Sequence, residues 1–272
     1  MKKLDLATAL GLSAGLGFIL LGNHLEGGHL SAIVQPTAAL IVFGGTLGAV
    51  LVSFPMNQFM AAVKGMTKLF GDDGHDPQAL IDEIAEQAKI ARRDGLLALE
   101  ETVKHLKDPF LKKSLDMVVS GFDSKTLQET LDLALAEQDE QGEAPAKVFE
   151  AAGGYSPTIG ILGAVLGLIH VMQNLDDPSK LGTGIAVAFV ATIYGVASAN
   201  LVFLPAANKL KLKHREHMRL CEMTQAGVLA LQQGQSPRLI ADRLAVFVGD
   251  GHSKPSLSAG GAQAEKSTKA AA

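Results

Sequence analysis

Residues 157–204, PTIGILGAVLGLIHVMQNLDDPSKLGTGIAVAFVATIYGVASANLVFL, decide the fold. Two apolar runs, Pro157 to Met172 and Ile185 to Leu204, contain no Asp, Glu, Lys or Arg, and a short polar stretch separates them. About 20 apolar residues in a helix cross a bilayer. The first run is short enough to read as a buried helix of a soluble domain, and its pairing with the second makes a membrane hairpin the better reading. Toward the N-terminus lie two more runs, Leu4 to Leu21, with Asp5 at its edge, and Ala32 to Phe54, which holds no charged side chain. The chain is therefore read as an all-α integral membrane protein with four transmembrane helices.

Composition agrees with this without deciding it. Of 272 residues, 47% are hydrophobic and 19% charged, and it is the clustering of the charges between the apolar runs that matters. Lys2 and Lys3 precede the first run as in a signal peptide, but no small-residue cleavage site follows and a second run begins at once. An uncleaved first span is expected. The net charge of −4 and the lack of a basic patch with aromatics give no reason to expect nucleic acid. The single cysteine, Cys221, excludes an internal disulfide framework and reads as a small half-buried hydrophobe.

Basic residues orient the spans. Gly22 to Ser31 has no Lys or Arg, and Gln173 to Gly184 has only Lys180 beside Asp176 and Asp177. Lys2, Lys3, Lys64, Lys68, Lys209, Lys211, Lys213 and Arg215 flank the opposite ends, which predicts both termini in the cytoplasm. The expected organisation is residues 1–54 as spans one and two with a short periplasmic loop, 55–152 as a helical cytoplasmic domain, 153–205 as spans three and four, 206–248 as C-terminal cytoplasmic helices, and 249–272 as a disordered tail. Within 55–152, Asp76-Pro77 opens a helix with an apolar stripe from Leu80 to Leu96. Asp108-Pro109 opens a second, with Phe110, Leu111, Leu115, Val118 and Val119. Ser124 is expected to cap a third, with Leu127, Leu131, Leu133 and Leu135. Ala206 to Gln233 reads as one long helix, and Ser236-Pro237 caps a last one reaching Val248.

No span carries Asp, Glu, Lys or Arg near its middle, with Asp5 and His170 at the edges. Ionisable groups at bilayer depth usually mark ion pathways, so a partner must supply the titrating group if this chain conducts. The spans instead carry small residues at helical spacing: Gly11 and Gly15; Gly44, Gly45 and Gly48; Gly160, Gly163 and Gly167. Such stripes let helices approach closely, either inside one subunit or against a neighbour. Span four offers Thr192, Tyr194, Ser198 and Asn200. A hydroxyl there most often bonds the carbonyl four residues back in its own helix. Pro157 and Pro205 are expected to open span three and close span four, where helix ends tolerate proline, with an earlier start of span three through Gly153, Gly154 and Tyr155 as the alternative.

The stretch GGYSPTIGILGAVLGLIHVMQNLDDPSKLGTGIAVAFVATIYGVASANLVFLPAANKLK resembles spans three and four of the MotA/PomA flagellar stator family. NHLEGGHLSAIVQPTAALIVFGGTLGAVL resembles its first loop and second span, and ARRDGLLALEE its rotor-contact helix. Together they cover most of the chain to about residue 248. The resemblance implies an inner-membrane subunit in a homopentameric ring around two copies of a peptidoglycan-anchored MotB-like partner, whose helix carries the missing aspartate. It implies no enzyme activity, catalytic residue, metal or cofactor, and contacts with the rotor protein FliG and with lipid. Arg92, Arg93, Glu100 and Glu101 match its rotor-facing charges. Arg93 and Glu100 are seven residues apart, which predicts one helical surface, although a charge run is often a solvated face. Pro157 and Pro205 match the family's coupling prolines, and Thr192 its ion-path threonine. Sodium-driven members resemble this chain but carry threonine where Ala164 stands, so proton is the expected ion. ExbB/TolQ proteins are the alternative, and they usually lack this two-span N-terminus. His24, Glu26 and His29 in loop one do not amount to a metal site. Nor do the spans show the intramembrane charge or paired broken helices of a transporter.

Overall fold

A computed structural model of the chain describes residues 5–69, 71, 76–176 and 178–248. Lys2, Lys3, Asp177 and the tail expected from Gly249 to Ala272 lie outside the described residues, as do the side chains of Lys68 and Lys180. In order, the helices are α1 (Leu6–Leu25), α2 (Pro36–Ala39), α3 (Gly45–Ser53), α4 (Met56–Leu69), α5 (Pro77–Asp94), α6 (Leu99–Val103), α7 (Pro109–Val119), α8 (Ser124–Gln173), α9 (Pro178–Ala197), α10 (Leu204–Gln232) and α11 (Pro237–Ala245). A π turn, Leu40–Gly44, joins α2 to α3, and another, Ser198–Phe203, joins α9 to α10. There is no strand among the described residues.

Among the described residues, four helical stretches are long and apolar enough to cross a membrane: Leu6–Leu25, Leu30–Ser53, one within Ser124–Gln173 and one within Leu181–Gln232. Their outward faces suit lipid and not water. Phe18 is 73% exposed, Val52 90% and Phe189 70%, and apolar exposure on this scale marks a membrane or protein contact surface. No residue of α1 is buried. Asp5 caps that helix, accepting from the Thr8 amide at 3.3 Å. It also pairs with Lys209 of α10 at 2.5 Å. The hydrogen bond from Lys209, helped by the one from Thr8, holds the Asp5 carboxyl at about 2. The stabilisation from a lowered carboxylate is complete above its ordinary value and fades only as pH falls toward 2, so this tie is constant at physiological pH.

The described residues form two compact units, those up to 71 with those in 125–222, and 76–124 with 223–248, so the segment 55–152 is divided between them. In the first unit, Val50, Ala62, Phe149, Ala152, Ala207 and Leu210 form a core flanked by Phe54, Phe59, Tyr155 and Phe203. In the second, Leu80, Ile81, Ile84 and Ala88 line α5, and α11 packs on that helix. Gly227 of α10 lies so close to Ile84 and Leu244 that a methyl group there would sit about 2.9–3.1 Å from their side chains. Three of these helices open as the residues foretell, each with proline in the first turn. Asp76 accepts from the Gln78 amide at 2.9 Å, Asp108 from Leu111 at 2.7 Å and Ser236 from Leu239 at 3.3 Å.

The structure corrects several expectations. Pro157 does not open a helix: α8 runs for 50 residues with Pro145 and Pro157 inside it. Pro205 does not close one either, because α10 continues through it to Gln232. Both helices persist beyond the apolar runs because their polar extensions hold each other. Lys211 pairs with Glu150 at 2.5 Å and His214 with Asp139 at 2.8 Å, with the His214 ring packed over Gly142, where no side chain intervenes. Ser124 is the first helical residue and not the cap. Its hydroxyl donates to Gln232 at 3.0 Å. Leu133 points outward at 72% exposure, whereas Leu127 and Leu131 are fully buried.

Thr46, buried just after the first π turn, has an unpartnered hydroxyl, one of two such buried side-chain atoms among the described residues. A π turn bonds at i→i+5, which disturbs the four-residue spacing a threonine hydroxyl uses. Thr46→Val, nearly isosteric, removes an orphaned polar group worth about 1 kcal/mol or more. It is expected to raise the melting temperature of the detergent-purified protein, and a fall would show that the hydroxyl is bonded.

Candidate functional site

Spans three and four meet backbone to backbone. A methyl group on Gly195 of α9 would lie 2.6 Å from the Ser156 carbonyl oxygen and 3.2 Å from Pro157 Cα. One on Gly160 of α8 would lie 2.9 Å from the Ala191 carbonyl oxygen, and one on Gly167 2.8 Å from both the Ala188 nitrogen and the Gly184 carbonyl oxygen. Real side-chain carbons do not come so close, so only glycine fits along this seam. Span two joins it at Gly45, which faces Ile159, and through Ile41, which faces Gly163. The glycine stripe of span three is therefore used inside the subunit.

The seam gathers two of the singled-out membrane residues. Pro157 packs against Gly195, and a methyl group on Gly160 would stand 3.5 Å from Thr192 Cα. Pro157, Gly160 and Ala164 follow one another at helical spacing, i, i+3 and i+7, so half-buried Ala164 continues the same face. The Thr192 hydroxyl donates to the Ala188 carbonyl at 3.2 Å, the local bond expected of it. Pro205 is not at this place. It is exposed and lies 13 residues past Thr192, about 20 Å along a helix.

Hydroxyl groups serve the seam where charges are absent. Ser156 and Ser198, both buried, sit 2.7 Å apart across the two helices. Tyr194 reaches back to the entry of span two, donating to the Ile33 carbonyl at 2.6 Å and accepting from the Gln35 amide at 3.2 Å. Its ring stacks on Phe43 with centroids 5.9 Å apart. Gln35 is extended, with φ −126° and ψ 101°. Backbone without helical partners needs a bond from elsewhere at membrane depth, and Tyr194 supplies two.

The four charged residues form a different place in the second unit. They do not share one helix: Arg92 and Arg93 end α5, while Glu100 and Glu101 begin α6. Gly95 breaks the helix between them at φ +88°, a backbone region that favours glycine, and the 3₁₀ turn Leu96–Ala98 follows. The seven-residue spacing is thus not two helical turns. All four side chains are exposed. Arg93 donates Nε and Nη2 to Asp94 at 3.0 and 2.8 Å, and that hydrogen bond holds the Asp94 carboxyl below its ordinary value. Glu101 pairs with Lys104 at 3.5 Å. Beneath them Thr102 donates to the Gln87 side chain at 2.6 Å and fixes α6 against α5.

A sequence profile of the MotA/TolQ/ExbB proton channel family matches residues 102–223, and one of the motility protein A N-terminal region matches residues 9–94. The chain is 38% identical over 248 residues to the chemotaxis protein PomA of Vibrio alginolyticus, covering 91% of this chain and 97% of that one. It is 34% identical over 246 residues to motility protein A of Bacillus subtilis, covering 90% and 91%. Among solved structures, that of C. jejuni MotAB superposes with a TM-score of 0.85 at 30% identity, covering 93% of this chain and 99% of that one. The flagellar MotAB stator complex of Bacillus subtilis gives 0.81 at 34% identity, covering 88% and 94%. The chain belongs to the MotA/TolQ/ExbB proton channel family. Within it, the full-length match to motility proteins, two-span N-terminus included, makes it a flagellar motor stator subunit of the MotA/PomA type and not an ExbB/TolQ protein. It is a multi-pass protein of the inner membrane, in a family of stator and ion-channel subunits and not of enzymes.

Sequence reasoning missed Ser156, Asp94 and the Gln87–Thr102 bond, and it named Tyr194 and Ser198 without a role. The Gly95 break did have a signal: Arg-Arg-Asp-Gly is a helix stop, with basic residues in the last turn and glycine beyond it. Gly195→Ala is expected to prevent packing of spans three and four and to leave little folded protein in the membrane by immunoblot. Tyr194→Phe, which strands the Ile33 carbonyl and Gln35 amide, should cost about 1–3 kcal/mol, read as a lower melting temperature in detergent. Unchanged stability would mean that the backbone break is held by something else.

Proposed function

We propose that five copies of this chain surround two copies of a MotB-like, peptidoglycan-anchored partner, and that proton passage turns the ring against the rotor protein FliG. One observation supports this above the others. The span interior is a tight seam of glycine and hydroxyl side chains with no Asp, Glu, Lys or Arg, so the titrating carboxylate comes from a partner helix. The MotAB complexes matched above support such a partner. The basic flanks of the spans support termini in the cytoplasm, with 55–152 and 206–248 on that side.

Thr192 lines the ion path in this reading. Its proton is engaged by Ala188, which leaves the oxygen lone pairs for a passing ion. Ala164, on the face of span three that carries Pro157 and Gly160, offers no second hydroxyl. A dehydrated sodium ion needs several oxygens, whereas a proton needs a carboxylate and water, so the pair favours proton. One charge crossing ~100 mV releases about 2.3 kcal/mol, enough for small adjustments at Pro157 and Pro205 and too little for refolding. Arg92, Arg93, Glu100 and Glu101 face FliG on the two sides of the Gly95 break.

Co-expression with the partner in a motile strain lacking its own stator tests this. Swimming is expected to return, to ignore sodium concentration and to stop with a protonophore. Strict sodium dependence of the unaltered chain would overturn the ion assignment. Ala164→Thr is expected to add a sodium-dependent component to swimming. Arg92→Glu or Glu100→Arg is expected to cut swimming severely while leaving the complex with its partner intact in pull-downs. Loss of the complex itself would place these charges elsewhere than at the rotor.

A further inference from the structure

Ser198 is the first residue of the second π turn, and Ser156 immediately precedes Pro157. Their hydroxyls lie 2.7 Å apart, with Ser156 fully buried and Ser198 9% exposed. The Ser198 oxygen also lies 2.7 Å from the Tyr194 carbonyl and 3.2 Å from that of Gly195. Each serine has one proton. When Ser198 donates to its own helix at Tyr194, Ser156 donates across to Ser198, and the two bonds form a chain from span three into the backbone of span four.

The position of this chain gives it leverage. A π turn holds one residue more than an α turn. Moving that residue in or out turns everything downstream by on the order of 100° and shifts it by about 1.5 Å. Downstream stand Pro205 and Lys209, the latter paired with Asp5 of α1. Proline keeps the turn open, since it has no N–H and its ring crowds the carbonyl four residues earlier. The Leu204 amide accordingly bonds the Ala199 carbonyl, five residues back. Upstream, the glycine seam prevents the helices from separating, so any relative motion there is sliding or twisting about a contact whose polar link is the serine pair.

We infer that the Ser156–Ser198 hydroxyl pair is a positioning latch that sets the register of the span-four π turn, and through it the placement of Pro205 and Lys209, as the ring works. This rests on the reading that spans three and four transmit ion-driven motion. Ser156→Ala, Ser198→Ala and the double variant, each with the partner, are to be compared by the torque increment of a single stator unit on a bead-loaded motor and by membrane content. A fall of the increment by about fivefold in each single variant, with no further fall in the double, is expected of one buried bond biasing a two-state element. The same variants, carrying Asp5→Cys and Lys209→Cys in a Cys221→Ala background, should lose cross-linking of positions 5 and 209 by a bis-maleimide reagent of lysine-like reach in isolated membranes. This second measurement needs no rotation. Reduced protein content with an unchanged increment and unchanged cross-linking would reduce the pair to packing and overturn the latch, as would singles whose effects multiply in the double. Failure of the unaltered chain to drive rotation would instead count against the assigned ion and partner, and the cross-linking arm would still decide the latch.

Discussion

The contact of α8 and α9 at Gly160, Gly167, Gly184 and Gly195 constrains everything around it. In lipid there is no hydrophobic gain from pressing apolar helices together, so association depends on close packing and on polar groups satisfied between helices. Here the packing is as close as peptide chemistry permits, with carbonyl oxygens of one helix against the α-carbons of the other. Such a contact tolerates no added carbon, and the side chains that enter it are few and short, Val171 against Gly184 and Ala191 against Gly163. It fixes the distance between the helices more firmly than their relative twist.

That distinction explains where the polar groups are. Ser156 and Ser198 bridge the seam, and Tyr194 fastens span four to the non-helical entry of span two. Each of these bonds resists twisting or sliding, which the glycines do not. Both π turns adjoin this arrangement: Leu40–Gly44 carries Ile41 and Val42 into it, and Ser198–Phe203 begins at the bridging serine. Widened turns are frequent where helices serve a function. By contrast, α1 has no buried residue and is tied to the unit by the Asp5–Lys209 pair and by Leu201 lying against Gly15.

Much of the fold was legible because the physics behind it is local. Charge-free runs are set by bilayer thickness, and Asp76, Asp108 and Ser236, each followed by proline, state where helices begin. The extents of α8 and α10 were not legible from hydropathy, which reports where side chains leave lipid and not where a backbone stops being helical. Those helices continue because Glu150 meets Lys211 and Asp139 meets His214, contacts between residues 61 and 75 positions apart. The seam was half legible. The glycine spacing of span three announced a close approach, but its partner is a stripe of mixed small residues, Gly184, Ala188, Ala191 and Gly195, that reads less plainly than a run of glycines. Ser156 gave no signal at all, since a serine beside a proline is ordinary until its opposite number is known.

The charged region shows the same limit from the other side. Residues seven apart share a face only if the helix between them is unbroken, and Gly95 breaks it. The outcome differs from a charged stripe in a useful way. Two positive and two negative groups seven to nine residues apart on one straight helix would stand two turns from each other, beyond the three- and four-residue spacing at which helical side chains pair. Divided between the end of α5 and the start of α6, they are held in place through the buried Gln87–Thr102 bond, with Leu99 and Val103 buried beneath. Their bonded neighbours are Asp94 and Lys104, close in sequence and exposed. Exposed pairs of that kind contribute little to stability and are readily exchanged for a partner's charges. A rigid base under weakly engaged charges suits a contact that must form and break repeatedly, as the rotor contact proposed for these residues would.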